Sequence, residues 1–227
     1  MKSSLKLRLI SGFTLGPLTL LIMWFGGLPF LTVIGLVFAL AIYEFREMTK
    51  RSAHGLRDFL LGAFYLTICF VAFIVMRLGN DLGAFLVLAL ITTIWACDVG
   101  AYFSGKLIGG AKLAPLISPN KTWAGMVGGA IASGLLLSAL FVGFMMYVYA
   151  AEEFNLVKNI PVLVNVFTMG ALLAVIGQCG DLLVSWYKRS VGVKDTGDII
   201  PGHGGILDRI DSLLLASPFF LLLLTFF

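Results

Sequence analysis

Carboxylates recur at short spacing in one polar segment, residues 180–212, of an otherwise apolar chain. The segment holds Asp181, Asp195, Asp198, Asp208 and Asp211, and the whole chain has only 12 acidic residues. Asp208 and Asp211 are three residues apart on a predicted helix, so they project from nearly the same face. Asp181 ends a long apolar run, where a carboxylate is costly and therefore a candidate for function. Two or three carboxylates that converge on one spot suit Mg²⁺, which prefers oxygen ligands and phosphates.

The middle of this segment combines basic residues with glycines. Lys194 and Asp195 begin a loop that runs through His203 to the pair Gly204–Gly205. Glycines let backbone amides approach an anion closely, and the helix that follows presents its N-terminus to a phosphate. A tight turn explains the glycines and the proline equally well. For His203, a turn or capping role and a substrate contact are both open.

A second polar segment, residues 98–125, carries lysines and hydrogen-bond donors. Pro119 fixes a turn in the run Ser-Pro-Asn-Lys-Thr-Trp, and the side chains that follow form a compact donor cluster. Lysines beside anionic lipid are also ordinary interfacial residues, so lone lysines are weak indicators. The candidates for phosphate or nucleotide contact are Ser118, Asn120, Lys121 and Thr122. Three further charges, Glu44, Arg46 and Glu47, are interpreted as helix-end residues.

The composition excludes a soluble globular protein. Hydrophobic residues make up 59% of the 227 residues, charged residues 12%, and the mean hydropathy is +1.01. Several apolar runs reach about 18 residues, long enough to cross a bilayer as helices. They lack the alternation of a β-barrel, and helices satisfy their own backbone hydrogen bonds in lipid. We therefore predict an all-α, polytopic transmembrane helix bundle that forms a single domain over residues 1–227.

Seven spans account for the apolar runs. They are Leu7–Phe25, Leu28–Phe45, Phe59–Met76, Leu82–Ala96, Trp123–Ala150, Pro161–Val184 and Ile206–Phe227. The first is expected to be a retained span, because its apolar run is long for a signal peptide and no small-residue cleavage site follows it. The fourth is short, and its continuation after Asp98 is either a helical extension or a separate re-entrant piece. An eighth span in this region is the alternative count.

The basic residues predict the orientation of these spans. With a cytoplasmic N-terminus, 14 of the 16 basic residues fall on the inner side, and only Arg77 and Lys158 fall outside. This asymmetry is what the positive-inside rule expects. The segments on the inner side are then residues 1–8, 46–58, 98–122 and 185–211. Both polar segments therefore face the cytoplasm.

The polar residues resemble the signature of a known family. The matching positions run over 27 residues, from 185 to 211, with fixed spacing. They are Ser185, Lys188, Arg189, Lys194, Asp195, Gly197, Pro201, His203, Gly204, Gly205, Asp208, Arg209 and Asp211. The signature is that of the CDP-diacylglycerol synthases (phosphatidate cytidylyltransferases), and the second polar segment is similar to that family's other motif. Two positions depart from it, since Ala124 and Val184 stand where members often have glutamate.

The resemblance implies that CTP and phosphatidate react to give CDP-diacylglycerol and pyrophosphate, with Mg²⁺ and a second cation such as K⁺. It implies Asp181 and Asp208 as metal ligands, with Asp211 as a third ligand or an outer partner. It further implies phosphate and substrate contacts, which are Lys188, Arg189, Lys194, Asp195, His203 and Arg209. We expect an integral protein of a bacterial plasma membrane with its active site on the cytoplasmic side, a homodimer, and no nucleic-acid partner.

Two other functions remain open at this point. Another CTP-using membrane enzyme, such as a polyprenol or phytol kinase or a related CDP-lipid synthase, would change the acceptor and the bond that is made. An anion transporter would instead need polar residues inside its spans around a site at the midplane. The spans carry few charges and the polar groups gather at one surface, which favours an interfacial enzyme.

Overall fold

The computed structural model describes residues 16–79, 81–148, 157–200 and 204–226. Most of them are helical. The helices in the described part of the chain are α1 (Gly16–Phe25), α2 (Gly27–Thr49), α3 (Gly55–Leu78), α4 (Gly83–Leu107), α5 (Trp123–Val148), α6 (Ile160–Ser190) and α7 (Leu207–Leu223). Two short strands, β1 (Lys112–Ala114) and β2 (Ser118–Thr122), lie between α4 and α5.

Helices α2 to α6 are long and apolar enough to cross a membrane, by length and composition. The predicted helix bundle of membrane type is therefore confirmed. The predicted first and seventh spans correspond to α1 and α7, which are shorter. The 17 residues of α7 extend about 25 Å, compared with about 30 Å for the hydrocarbon core. The start of the predicted first span and the end of the predicted fifth span lie outside the described residues. The count of seven spans therefore stays a prediction.

Helices α4 and α6 continue past the ends predicted for their spans. Helix α4 runs through Asp98 to Leu107, so this part of the second polar segment is a helical extension. Helix α6 contains 31 residues and ends at Ser190, beyond the predicted end at Val184. The carboxylates Asp98 and Asp181 consequently sit on rigid helical turns.

The antiparallel pair β1–β2 is a departure from the predicted all-α fold. Thr122 pairs with Lys112, and Ser118 pairs with Ala114. The chain leaves α4 through glycines with φ of 66° and 88° at positions 109 and 110. Glycine adopts this left-handed conformation without steric cost, which lets the chain reverse directly into β1.

Consecutive helices from α4 to α7 pack against one another, and α3 joins α2 to α7. The helices approach closely where glycines face backbone atoms. A Cβ added at Gly180 of α6 would lie 2.7 Å from the backbone oxygen of Asp211 in α7. The two helices that carry the predicted metal ligands therefore meet at those ligands.

Arg77 joins α3 to α1, remote from the polar segments. Its guanidinium donates to the backbone oxygens of Met23 and Trp24 at 2.8 and 2.9 Å. These carbonyls belong to the last turn of α1, which has no further helical donors for them. A Cβ at Gly26, which has φ of 68°, would overlap this guanidinium. Glycine is therefore required for α1 to end here.

Candidate active site

The two polar segments contact each other at the end of the bundle. Lys121 of β2 forms an ion pair with Asp181 of α6, with Nζ and Oδ2 2.5 Å apart. Arg189, in the last turn of α6, donates from Nε to the backbone oxygen of Ile117 at 3.4 Å. The strand pair is thereby attached to α6 at its turn and at β2. Residues 60 or more positions apart in sequence form one polar surface.

Thr122 shows how β2 leads into α5. Its hydroxyl oxygen accepts the backbone N–H of Gly125 at 3.0 Å, and the residue is buried. A threonine in front of a helix that accepts an N–H from the first turn is an N-cap. The cap fixes the strand relative to α5 and so fixes Lys121. A substrate contact by Thr122 stays a prediction.

Asp181 and Asp211 form a carboxylate pair, the name used below for these two residues. Their side chains lie within hydrogen-bonding reach of each other across the contact between α6 and α7. Asp181 also accepts from the Ser185 hydroxyl at 3.2 Å, and Asp211 accepts the backbone N–H of Ser212 at 2.8 Å. Two carboxylates at this separation repel each other unless they share a proton or a cation.

Asp208 belongs to a different group, the anchor cluster, which consists of Glu44, Lys188, Thr196 and Asp208. The ammonium of Lys188 lies 2.5 Å from Asp208 Oδ1, and both side chains are only 9% exposed. Asp208 Oδ2 accepts the backbone N–H of Thr196 at 2.8 Å and its hydroxyl at 3.0 Å. The structure thus pairs Asp208 with a lysine and brings Asp211 to Asp181.

The carboxylate pair and the anchor cluster are connected by electrostatic contacts. Asp211 interacts with Lys188 of the anchor cluster. On the other side, Asp98 of α4 interacts with both Lys121 and Asp181. The connected groups comprise five carboxylates and two ammonium groups, an excess of three negative charges if all are ionised. A phosphate-bearing substrate would be repelled by this excess unless cations were bound as well.

Glu44 is the main residue that the sequence interpretation missed. Its assignment as a helix-end charge is wrong, because the residue is 2% exposed and its carboxylate contacts the start of α7. A carboxylate at the end of an apolar span was the available signal, the same one that singled out Asp181. Asp98 lies in the second polar segment, and the sequence interpretation assigned no role to it. Nothing in the sequence marked Thr196 as a site residue except its position next to Asp195.

The other predicted site residues lie around this centre with different exposures. Lys194, Asp195 and Asn120 are exposed, and Ser118 is half-buried. Arg189 is exposed and directs its guanidinium to the backbone oxygens of Ile117 and Val193. Arg209 is exposed on the first turn of α7. His203 lies outside the described residues.

The carboxylate pair suits a hard divalent cation. Mg²⁺ is usually held by one or two carboxylates and keeps its remaining positions for water and substrate phosphates. Within residues 16–79, 81–148, 157–200 and 204–226, no three His, Cys, Asp or Glu side chains come together as a metal site. Two protein carboxylates are therefore the set that the described structure offers. The requirement for Mg²⁺ stays a prediction.

Comparison with known proteins identifies the class. Residues 50–227 match the sequence profile of the cytidylyltransferase family. The phosphatidate cytidylyltransferase of Rickettsia bellii is 36% identical over 218 residues, which cover 96% of this chain and 89% of the relative. That of Brucella suis biovar 1 is 33% identical over 264 residues, covering 95% of this chain and 91% of the relative. The chain belongs to the cytidylyltransferase family, and the resemblance drawn from its motifs is confirmed.

Proposed function

We propose that the chain transfers the cytidylyl group of CTP to phosphatidate, which gives CDP-diacylglycerol and pyrophosphate. The observation that carries this proposal is the connected set of carboxylates and lysines at one end of an apolar helix bundle. Such a set suits phosphorylated substrates that meet at a membrane surface. The relatives of similar length are named for this activity.

The reaction needs no nucleophilic side chain. A phosphate oxygen of phosphatidate attacks the α-phosphorus of CTP and forms a new P–O bond. The bond from that phosphorus to the oxygen bridging it to the β-phosphate breaks, and pyrophosphate leaves with the electron pair. Both reactants are anions, so the task of the protein is to align them and to neutralise their charge.

The side chains divide this task. Asp181 and Asp211 would hold Mg²⁺, with Asp208 fixed beside them by Lys188. When bound, the ion would neutralise phosphate charge and leave open positions for phosphate oxygens. K⁺ is proposed as the second cation. The exposed cations Lys194 and Arg209 are proposed to contact phosphates, together with Lys188, Arg189 and Lys121, and Ser118 and Asn120 are proposed to contact the nucleotide.

We further propose seven spans with a cytoplasmic N-terminus and the active site on the cytoplasmic side. The distribution of 14 of 16 basic residues supports this orientation. In support, Glu44 contacts Thr196, and Arg189 contacts Ile117, so segments that the charge pattern assigns to the inner side lie near one another. Arg77, which the pattern assigns to the outer side, contacts α1. A reporter fused to the C-terminus should be found outside the cytoplasm. A cytoplasmic C-terminal reporter would contradict the seven-span count.

The activity is tested with CTP that is labelled at either the α- or the γ-phosphate. Purified protein, phosphatidate and Mg²⁺ should transfer the α-label to lipid and release the γ-label as pyrophosphate. A CTP-dependent lipid kinase would transfer the γ-label to the lipid instead. Absence of labelled lipid with every divalent cation tried would reject the proposal.

A further inference from the structure

Helix α2 contributes a buried carboxylate to the candidate site from the opposite end of the sequence. Glu44 Oε1 accepts the backbone N–H of Ile206 at 2.9 Å, and Oε2 accepts that of Leu207 at 2.9 Å. The first N–H groups of a helix have no partner within the helix. Glu44 therefore supplies the acceptors at the start of α7, one residue before Asp208.

The same carboxylate is joined to Asp208 through one hydroxyl group. Thr196 Oγ1 lies 3.0 Å from Glu44 Oε2 and 3.0 Å from Asp208 Oδ2. A hydroxyl has a single proton, so it can donate to only one of the two carboxylates at a time. The backbone N–H of Thr196 donates to Asp208 as well, at 2.8 Å. Glu44 thus fixes the loop that orients Asp208 along with the helix that carries it.

Two glycines leave the space that the Glu44 carboxylate occupies. A Cβ at Gly197 would lie 2.8 Å from Oε1, and a Cβ at Gly205 would lie 2.7 Å from Oε2. Both positions therefore need glycine for the carboxylate to reach its partners. Phe45, the next residue of α2, stacks on Tyr187 of α6 with ring centroids 5.1 Å apart. The end of α2 is thereby fixed to α6 and to α7 together.

We propose that Glu44 is a positioning residue for the transfer reaction. It holds the first turn of α7 against α6, so that Asp211 meets Asp181 and Asp208 meets Lys188. A displacement of about 1 Å at a reacting site can cost about 100-fold in rate. The measurement of activity that tests this inference depends on the proposed function, whereas the measurement of metal affinity does not.

Replacement of Glu44 by glutamine gives the sharpest test. Either orientation of the amide turns its NH₂ group towards one of two backbone N–H donors, so one acceptor is lost at the start of α7. We expect Glu44→Gln to lower kcat about 100-fold with little change in KM for CTP. We also expect the affinity for Mn²⁺, measured by electron paramagnetic resonance without substrate, to fall about tenfold.

Glu47→Gln is the matched control. Glu47 lies three residues further along α2, and its side chain is 42% exposed and paired with Lys50. This variant should keep both kcat and Mn²⁺ affinity. Thr196→Val loses the hydroxyl link between Glu44 and Asp208. It should therefore have lower kcat and lower Mn²⁺ affinity than the conservative variant Thr196→Ser, which keeps the hydroxyl.

The two proposals fail in different ways. If the unchanged protein forms no CDP-lipid, the proposed function fails, and Mn²⁺ affinity still decides the role of Glu44. If folded Glu44→Gln keeps the kcat and Mn²⁺ affinity of the unchanged protein, the positioning role is wrong. If Glu44→Gln does not fold, Thr196→Val decides, and values like those of Thr196→Ser would overturn the inference.

Discussion

Helix α7 carries two carboxylates one turn apart, and their electrostatic surroundings differ. Asp208, in the anchor cluster, is compensated by the buried Lys188 and by two donors of Thr196. Asp211, in the carboxylate pair, faces another carboxylate, Asp181. The comparison indicates a division of roles. Asp208, which the buried Lys188 neutralises, fixes the geometry, whereas Asp181 and Asp211 share one close ammonium, that of the more exposed Lys121, and are proposed to bind a cation.

The largest expected effect comes from neutralising one member of the carboxylate pair. Asp181→Asn should lower turnover about 1000-fold or more, because a main source of charge stabilisation for the phosphates is lost. The protein should remain folded with little change in thermal stability, since the substitution removes both the contact between like charges and the ion pair with the partly exposed Lys121. Turnover with labelled CTP and the unfolding temperature in detergent measure the two effects. Activity within about tenfold of the unchanged protein would remove Asp181 from the metal site.

Asp208→Asn should differ from Asp181→Asn in its effect on stability. It removes the carboxylate that is paired directly with the buried ammonium of Lys188, which costs about 3–5 kcal/mol. Activity should be lost as well. In the double variant Asp208→Asn/Lys188→Met the unpaired charge is gone, so the unfolding temperature should recover while activity stays absent. A double variant as unstable as the single one would show that Lys188 is not the cause.

Arg189 tests whether the strand pair must be attached to α6. Arg189→Gln removes the hydrogen bonds to Ile117 and Val193, so Lys121 should be held less firmly and activity should fall about tenfold. Arg57→Gln is a suitable control, because Arg57 is exposed and pairs with its neighbour Asp58. Equal activities of the two variants would mean that this attachment does not matter.

The sequence predicted the parts of this site that depend on local spacing. The separation of Asp208 and Asp211 placed them on one helix face, and the apolar run before Asp181 marked it as unusual. The C-terminal end of helix α4 could not be predicted, because the apolar stretch ends before the helix does. The role of Glu44 could not be predicted, since its partners Ile206 and Leu207 lie 162 and 163 positions away. Contacts of this kind leave no periodic pattern.

The strand pair was missed for a related reason. The turn predicted at Pro119 is misplaced, because Pro119 lies within β2 and the turn occupies residues 115–117. The strands β1 and β2 have three and five residues, too few for a clear alternation of side chains. Their long-range contacts are the Arg189–Ile117 hydrogen bond and the Lys121–Asp181 ion pair, which are tertiary interactions. Short strands are fixed by such neighbours more than by their own propensity.

We propose that the Asp181–Asp211 pair binds a divalent cation, whereas Asp208 belongs to the anchor cluster. Mn²⁺ binding to the purified protein, followed by electron paramagnetic resonance without substrate, tests it most directly. Tight binding should be present in the unchanged protein and in Glu47→Gln, and it should be lost in both Asp181→Asn and Asp211→Asn. Unchanged Mn²⁺ affinity in those two variants would contradict the claim.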